Sequence, residues 1–452
     1  MSTGRFTGEM LRPSDPRYNG ARRLWNAMID KRPAAIARCR STTDVAAAMA
    51  EANSDGLEVA VRGGGHSVSG LSSTEGGIMI DLRPMNGVVV DTERRRARVQ
   101  GGALLGEFDR ATHDYGLATT GGMVHHTGVG GLTLGGGFGW LARLHGLACD
   151  NLVSVQVVTA SGDVVRAAED ENADLFWGIR GGGGNFGIVT EFEFELHEVG
   201  PVLSVELRFA ADEGPSVMRA FRDVMASAPP ELCGLVGVSV GRGAGRLSDE
   251  PGDHDVFVWY AYVGDDLDEG ERIGTPLRRA ADPAAMQVEV MSYPDLQSAT
   301  GEASGPGRRH YWKGSLMWEL SDAFLEAFLE RGRMLRGGCG IELFSLGGAI
   351  SRIGEDDTAY SNRGAAFDML PAATWDDPAE DEANISLTRE NWEALAPFAR
   401  SAVYVNDLGP DAAERMGDVY GSQKLERLAA LKARWDPDNV FHLNANITPV
   451  PA

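Results

Sequence analysis

Arg62-Gly63-Gly64-Gly65-His66-Ser67-Val68-Ser69-Gly70 follows directly on the apolar run Val59-Ala60-Val61. Three consecutive glycines leave the backbone bare, so several N–H groups can converge on an anion such as a pyrophosphate. The histidine that closes the loop is then held against whatever the loop grips. A tight turn with an ordinary surface histidine is the alternative, and two further glycine segments count against it. Working outward, a strand at Ala35–Cys39, a helix at Thr43–Asn53 capped by Ser41 or Thr42, and a strand at Glu58–Arg62 form a βαβ unit that delivers the chain into this loop. Further strands are expected at Gly77–Leu82, Gly87–Asp91, Arg96–Gln100 and Val153–Thr159, with helices at Leu104–Tyr115 and Ala173–Ile179.

The second segment, Thr119 to Trp140, is dominated by glycine interleaved with small hydroxyl and apolar residues, as where backbone must lie flat against a planar or phosphorylated ligand. Its adjacent His125 and His126 lack the Glu of an H-E-x-x-H site, so pocket-lining histidines are favoured over a metal. The third segment contains Gly182-x-Gly184-x-x-Gly187, which matches the dinucleotide fingerprint by letter. A helix precedes it and the strand Gly187–Glu195 follows, the reverse of what that fingerprint needs. No Gly-Lys-Ser/Thr ending exists for a P-loop. Gly237-Val238-Ser239-Val240-Gly241 has the letters of a nucleophile elbow, which would make Ser239 a hydrolase serine, but Arg242–Arg246 follows where an elbow needs a helix, and a β-hairpin is the better reading.

Composition narrows the field. Of 452 residues 58 are glycine, roughly 13% against an average of about 7%, and the excess falls in runs rather than linkers. The net charge of −23 repels phosphate backbones and anionic membrane surfaces, so neither nucleic acid nor a membrane is an expected partner. No run approaches the ~18 apolar residues of a membrane span, and a cytoplasmic location is the expectation. Four scattered cysteines predict neither a disulfide nor a cysteine metal site.

Taken together, Arg62–Gly70, Gly121–Asn151, Arg180–Glu195, Tyr404–Asn406 and the ending Asp436–Pro449 resemble the FAD-linked oxidases of the vanillyl-alcohol-oxidase type, in particular the berberine-bridge-enzyme-like branch. The resemblance implies an α+β fold, a two-domain FAD-binding fold of the vanillyl-alcohol-oxidase type with a mixed or antiparallel substrate-domain sheet covered by helices. Residues 1–200 form the FAD-binding part, 201–400 the substrate-binding part, and 401–452 return to the FAD-binding part. It implies FAD bonded covalently through His66. Many relatives add a second tether from a cysteine whose place here is taken by Val124, so a single attachment is expected. Cofactor contacts are implied at Arg62, Gly63, Gly64, Gly65, Ser67, Thr120, Gly121, Gly128, Gly131, Gly136, Gly137, Gly187 and Val189, with side-chain amides from Asn151 and Asn444.

The implied reaction is two-electron oxidation of a small organic substrate, polyketide-like or aromatic, with dioxygen as the final acceptor; a homodimer is left open. Relatives usually carry valine or leucine before G-V-G-G, where this chain has Thr127 preceded by His126. Thr127 either hydrogen-bonds a flavin–oxygen species or stands in sterically for valine. The pair, with Leu132, is also similar to flavoproteins of the enterocin polyketide type, which implies an alternative: an oxygenase acting on a poly-β-ketone. Relatives carry Y-x-N-Y where this chain reads Tyr404-Val405-Asn406-Asp407, so Tyr404 and Asp407 are candidates for the base, with Glu342 in the alternating run Ile341–Gly348 as another if desolvation raises its pKa. The middle of the chain reads as strands at Leu203–Phe209, Gly234–Val240 and Asp255–Val263 between helices. The end reads as a strand at Ala402–Asn406 and a helix at Asp418–Trp435. Trp259, Tyr260, Tyr262, Tyr311, Trp312, Trp318 and Phe344 are candidate pocket aromatics.

Overall fold

The computed structural model describes residues 6–240, 255–299, 305–409 and 411–450. The βαβ unit forms as expected. Strands Ala35–Arg38 and Val59–Arg62 lie parallel on either side of Ile78–Asp81, and Glu9–Leu11 completes a four-stranded sheet. The helix between them, Thr42–Asp55, starts where the Ser41 side chain accepts from the Asp44 N–H and ends at Gly56 in the left-handed region (φ 62°). A second, five-stranded antiparallel sheet runs Val88–Asp91, Arg96–Gln100, Ile188–Glu195, Leu152–Val158, Val164–Ala168.

The middle of the chain builds an eight-stranded sheet in the order Ala285–Met291, Val202–Phe209, Asp255–Tyr262, Leu232–Ser239, Cys339–Ser345, Phe367–Trp375, Arg309–Trp312, with Ser315–Met317 also paired to Phe367–Trp375. Its neighbouring strands are antiparallel throughout. Alternation gives the sheet two apolar faces. Val236, Val258, Tyr260, Ile341, Leu343 and Met369 pack with residues of the helices Gly214–Ser227, Leu267–Arg278, Asp322–Gly332 and Asp381–Leu395. Leu235, Trp259 and Phe344 join the core of the five-stranded sheet instead, alongside Trp140, Phe192 and Tyr404. The sheet is thus sandwiched between its own helices and the glycine-rich half.

Ser239 sits within this sheet, paired with Asp255 on one side and Gly340 on the other and 4% exposed. That is strand geometry with no elbow; the expected Arg242–Arg246 turn lies outside the described residues. Two expectations change. Ala402–Asn406 is no strand, because the Tyr404 carbonyl accepts from the Asp407 N–H and closes a 3₁₀ turn over Val405–Asp407. The second glycine segment is not uniformly flat, since Val129–Leu134 coils into a short helix. No helix among the described residues is long and apolar enough to cross a membrane, and all four cysteines are free and buried.

Candidate active site

The three glycine segments converge on one cavity of about 340 Å³. The first contributes Gly63, Gly64, Gly65, His66 and Ser67; the second Thr127, Gly128, Gly130, Gly131 and Leu132; the third Gly183, Gly184, Gly187 and Val189. Phe441, Leu443 and Asn444 close it from the C-terminal end, and Trp312 with Tyr404–Leu408 from the side of the large sheet. The first two loops touch through bare backbone: a Cβ on Gly64 would lie 2.4 Å from the Gly128 nitrogen, and one on Gly128 2.3 Å from the Gly64 nitrogen. Glycine is required at this crossing by contact rather than by conformation. Gly131 is different, because a Cβ there would meet nothing within 4 Å and would point into open space.

Several expected contacts stand off the cavity wall, each for a visible reason. Arg62 is spent on structure: its guanidinium makes a bidentate pair with buried Asp81 (3.0 and 2.6 Å) and donates to the Ala21 and Arg23 carbonyls, which anchors the loop from behind. Thr120 donates to the Gly146 carbonyl (2.8 Å), and Gly121 packs beside Leu105 and Gln297. Gly136 and Gly137 adopt φ of 124° and 82° to pass Tyr360, Leu132 and Ala148. Asn151 uses its amide on the Leu147 and His145 carbonyls and its oxygen on the His197 ring (2.6 Å). Asn444 remains on the wall, and its Oδ1 is buried without a partner.

Of the candidate aromatics only Trp312 lines the cavity. Tyr260, Tyr262 and Tyr311 belong to the core on the helix-covered face. Trp259 and Phe344 fill the opposite core, Trp259 against Trp140 (4.6 Å) and Phe344 against Phe138 (5.3 Å). Trp318 packs at the edge of that core with Arg400 over its ring.

Toward the large sheet the wall becomes acidic. Asp407 lines the cavity and is 8% exposed; it fits only because residue 314 is glycine, where a Cβ would lie 2.6 Å from the Asp407 Cβ. Asp368 faces it from the strand Phe367–Trp375. Phe344 pairs with Asp368 and Glu342 with Leu370, which puts Glu342 and Asp368 on the same face of the sheet. Burial raises both aspartates above the ordinary carboxylate range, and the two carboxyls act on each other: Asp407 adds to the rise at Asp368, while Asp368 holds Asp407 down. Arg415 opposes the rise at Asp407, and Glu342 adds to the rise at Asp368. Desolvation alone pushes Glu342 up to about 7. Tyr404 is placed differently from these acids: its hydroxyl accepts from the Gly137 N–H (2.9 Å) and from Asn406 Nδ2 (2.7 Å), and burial holds it as a phenol.

Asp368 carries no sequence signal of its own. It stands in a strand whose Pro371 disguises it. Pro371 is tolerated because its carbonyl accepts from Lys313, so its nitrogen faces the Lys313-Gly314 interruption between Arg309–Trp312 and Ser315–Met317, where no N–H is needed.

On the cavity wall His66 is clamped in a row of rings. Trp25 stacks on it (4.0 Å, 17°) and on His310 (3.7 Å, 13°), and His126 meets its edge with ring centroids 5.0 Å apart. Thr127 reaches the wall and His126 sits behind it. Trp25 had no motif to announce it.

Residues 33–168 match the FAD binding domain family and residues 403–448 the family described as berberine and berberine like. The chain is 32% identical to (R)-6-hydroxynicotine oxidase of Paenarthrobacter nicotinovorans over 98% of its own length and 97% of the relative's. It is 30% identical to glucooligosaccharide oxidase of Sarocladium strictum over 94% and 89%. Among solved structures, 6-hydroxy-D-nicotine oxidase of Arthrobacter nicotinovorans superposes with a TM-score of 0.86 at 29% identity, all of both chains covered. Glucooligosaccharide oxidase of Acremonium strictum, whose FAD is described as 6-S-cysteinyl, 8α-N1-histidyl, gives 0.85 at 26% identity with 98% of each chain covered. The chain belongs to the berberine-bridge-enzyme-like FAD-linked oxidoreductases.

Proposed function

We propose that the protein is an FAD-dependent oxidase that holds its cofactor in the glycine-lined cavity, attached once, through His66, and that removes two electrons from a small organic substrate approaching from the large sheet. Residues 1–200 and 401–452 would form the FAD-binding part and residues 201–400 the substrate-binding part. The residues present fit the cofactor: bare backbone at Gly63–Gly65, Gly128, Gly131, Gly183 and Gly184 suits a pyrophosphate, and the unpartnered Asn444 Oδ1 offers an acceptor. Val124 stands where a second tether would need cysteine. Bound there, FAD supplies a two-electron acceptor that dioxygen returns to its oxidised form.

The carrying observation is Asp407 on the cavity wall with Asp368 beside it. Asp407, ionised, takes the acidic proton of the substrate's C–OH or C–NH group; Asp368 holds it in position and shares its proton in the resting state. Trp312, Phe138 and Leu132 exclude water with apolar surface, which suits an aromatic or polyketide-like substrate. Tyr404 positions rather than reacts, because its oxygen already receives two hydrogen bonds. Anaerobic mixing with candidate substrates tests this: a true substrate bleaches the flavin absorbance, and air restores it with one hydrogen peroxide per turnover. Bleaching without peroxide, and with oxygen incorporated into product, would instead favour the oxygenase reading, for which Thr127 on the wall supplies a hydroxyl.

The pH dependence has a definite sign. A base with a raised pKa must lose its proton to act, so kcat/KM rises with pH through neutrality and levels above it. Glu342 raises its neighbour Asp368 by like charge. That charge does not act on Asp407, so Glu342→Gln is expected to leave the limb in place and turnover on the plateau intact. Lost plateau turnover would instead make Glu342 itself the base.

A further inference from the structure

We infer that His126 selects the ring nitrogen with which His66 bonds to the cofactor and accepts the proton that His66 gives up in doing so. The inference rests on His66 being the attachment residue.

The geometry is specific. His66 Nε2 and His126 Nδ1 lie 3.1 Å apart, a hydrogen bond between two imidazoles. His66 is on the cavity wall, whereas His126 stands behind it, away from the cavity. With Nε2 engaged at the back, Nδ1 is the nitrogen left for a bond. The ring has little freedom to exchange the two, because Trp25 stacks on one face at 4.0 Å and the hydrogen bond to His126 holds its edge. His126 is itself fixed by the turn that carries it: the Thr127 N–H donates to the Val124 carbonyl, and the Leu105 and Gly106 N–H groups donate to the Thr127 and His125 carbonyls.

The electrostatics agree. Desolvation first, and then the neighbouring His126 and His310, lower the His66 pKa to about 3, so the ring is neutral and one nitrogen carries a lone pair. If His126 Nδ1 accepts, the His66 proton sits on Nε2 and the lone pair on Nδ1. Bond formation at Nδ1 would then make the His66 ring cationic in a site that disfavours charge. Passing the Nε2 proton to His126 removes that charge as it develops. Across the whole step one C–H bond of the cofactor's 8α-methyl group and the N–H bond of His66 break, and one C–N bond forms. Two protons and two electrons leave, and dioxygen takes them up as hydrogen peroxide. Where His126 is absent the proton has no acceptor at this place, and either nitrogen can carry it.

The test follows covalent attachment rather than turnover. Apoprotein from riboflavin-starved cells is incubated with FAD in air, and samples are acid-precipitated over time. Flavin remaining with the protein is measured by absorbance and by intact mass, alongside total bound FAD before acid. Wild type is expected to become fully linked and His66→Ala to bind FAD without linking it. His126→Ala and His126→Asn are expected to bind FAD but to link it at least tenfold more slowly, and added imidazole should accelerate the alanine variant. Asparagine keeps an acceptor at that place but takes no proton, so it decides the question should the alanine variant fail to load. Linkage at the wild-type rate in either loaded variant overturns the role of His126. Acid-released flavin in the wild type would overturn the attachment itself, a separate failure.

Discussion

Asp407→Asn is expected to lower kcat/KM by about 10²–10⁴-fold, the range for loss of a positioned general base, while FAD content stays at the wild-type level. Asparagine keeps the size that Gly314 accommodates, so the fold has no reason to change. It cannot ionise, and the rising pH limb should vanish with the activity. Stability should move the other way. Burial raises the proton affinity of the Asp368–Asp407 pair in the folded state. An acid raised in this way stabilises the fold below its unfolded pKa of about 3.9 and loses that contribution as pH rises through the folded value. The amide of the variant would carry no such loss, so its melting temperature at pH 8 should equal or exceed that of the wild type. A variant that keeps its activity would move the role of base to Glu342.

Gly64→Ala is expected to yield protein with little or no bound flavin and a stability lower by about 1–3 kcal/mol, as when an atom is forced into a packed contact. The new Cβ would sit 2.4 Å from backbone nitrogen, and backbone cannot swing aside as a flexible side chain can. The two loops that form the floor of the cavity would have to part. Gly131→Ala isolates the cofactor's share of this effect, since its Cβ meets only open space on the cavity wall. That variant should keep the melting temperature of the apoprotein and still bind FAD at least tenfold more weakly. Differential scanning fluorimetry with and without FAD, and the flavin-to-protein absorbance ratio, separate the two outcomes.

Local pattern carried much of the glycine-rich half. The strand Arg96–Gln100 and the helix Ala173–Ile179 lie where expected; the strand is legible because it alternates buried Ala97 and Val99 with outward residues beside Val88–Asp91. The strand Phe367–Trp375 escaped notice because Pro371 argues against a central strand; its license comes from a gap in the partner strand, a tertiary fact. The run Ala402–Asn406 misled in the opposite direction. Its Val403 and Val405 alternate like a strand, but the chain turns at once to bring Asp407 to the cavity.

The site divides in the same way. His66, Gly64, Gly128 and Asn444 meet on the cavity wall; bare backbone beside a histidine marked the first two in sequence, a glycine-rich run marked Gly128, and the resemblance alone marked Asn444. Arg62 and Asn151 sit in the right motifs but are consumed in holding the loops, which only their hydrogen-bond partners reveal. Asp368 and Trp25 carry no motif at all; their importance comes from what the fold sets opposite them, Asp407 in one case and His66 in the other.

The most direct test of the account is to locate the flavin on the chain. The purified protein is denatured in acid, digested, and its flavin-bearing peptide sequenced by mass spectrometry. The account predicts that the yellow colour stays with the protein and that one FAD maps to His66, with no second attachment in the peptide containing Val124. Flavin released free into the acid supernatant, or fixed at any other residue, would contradict it.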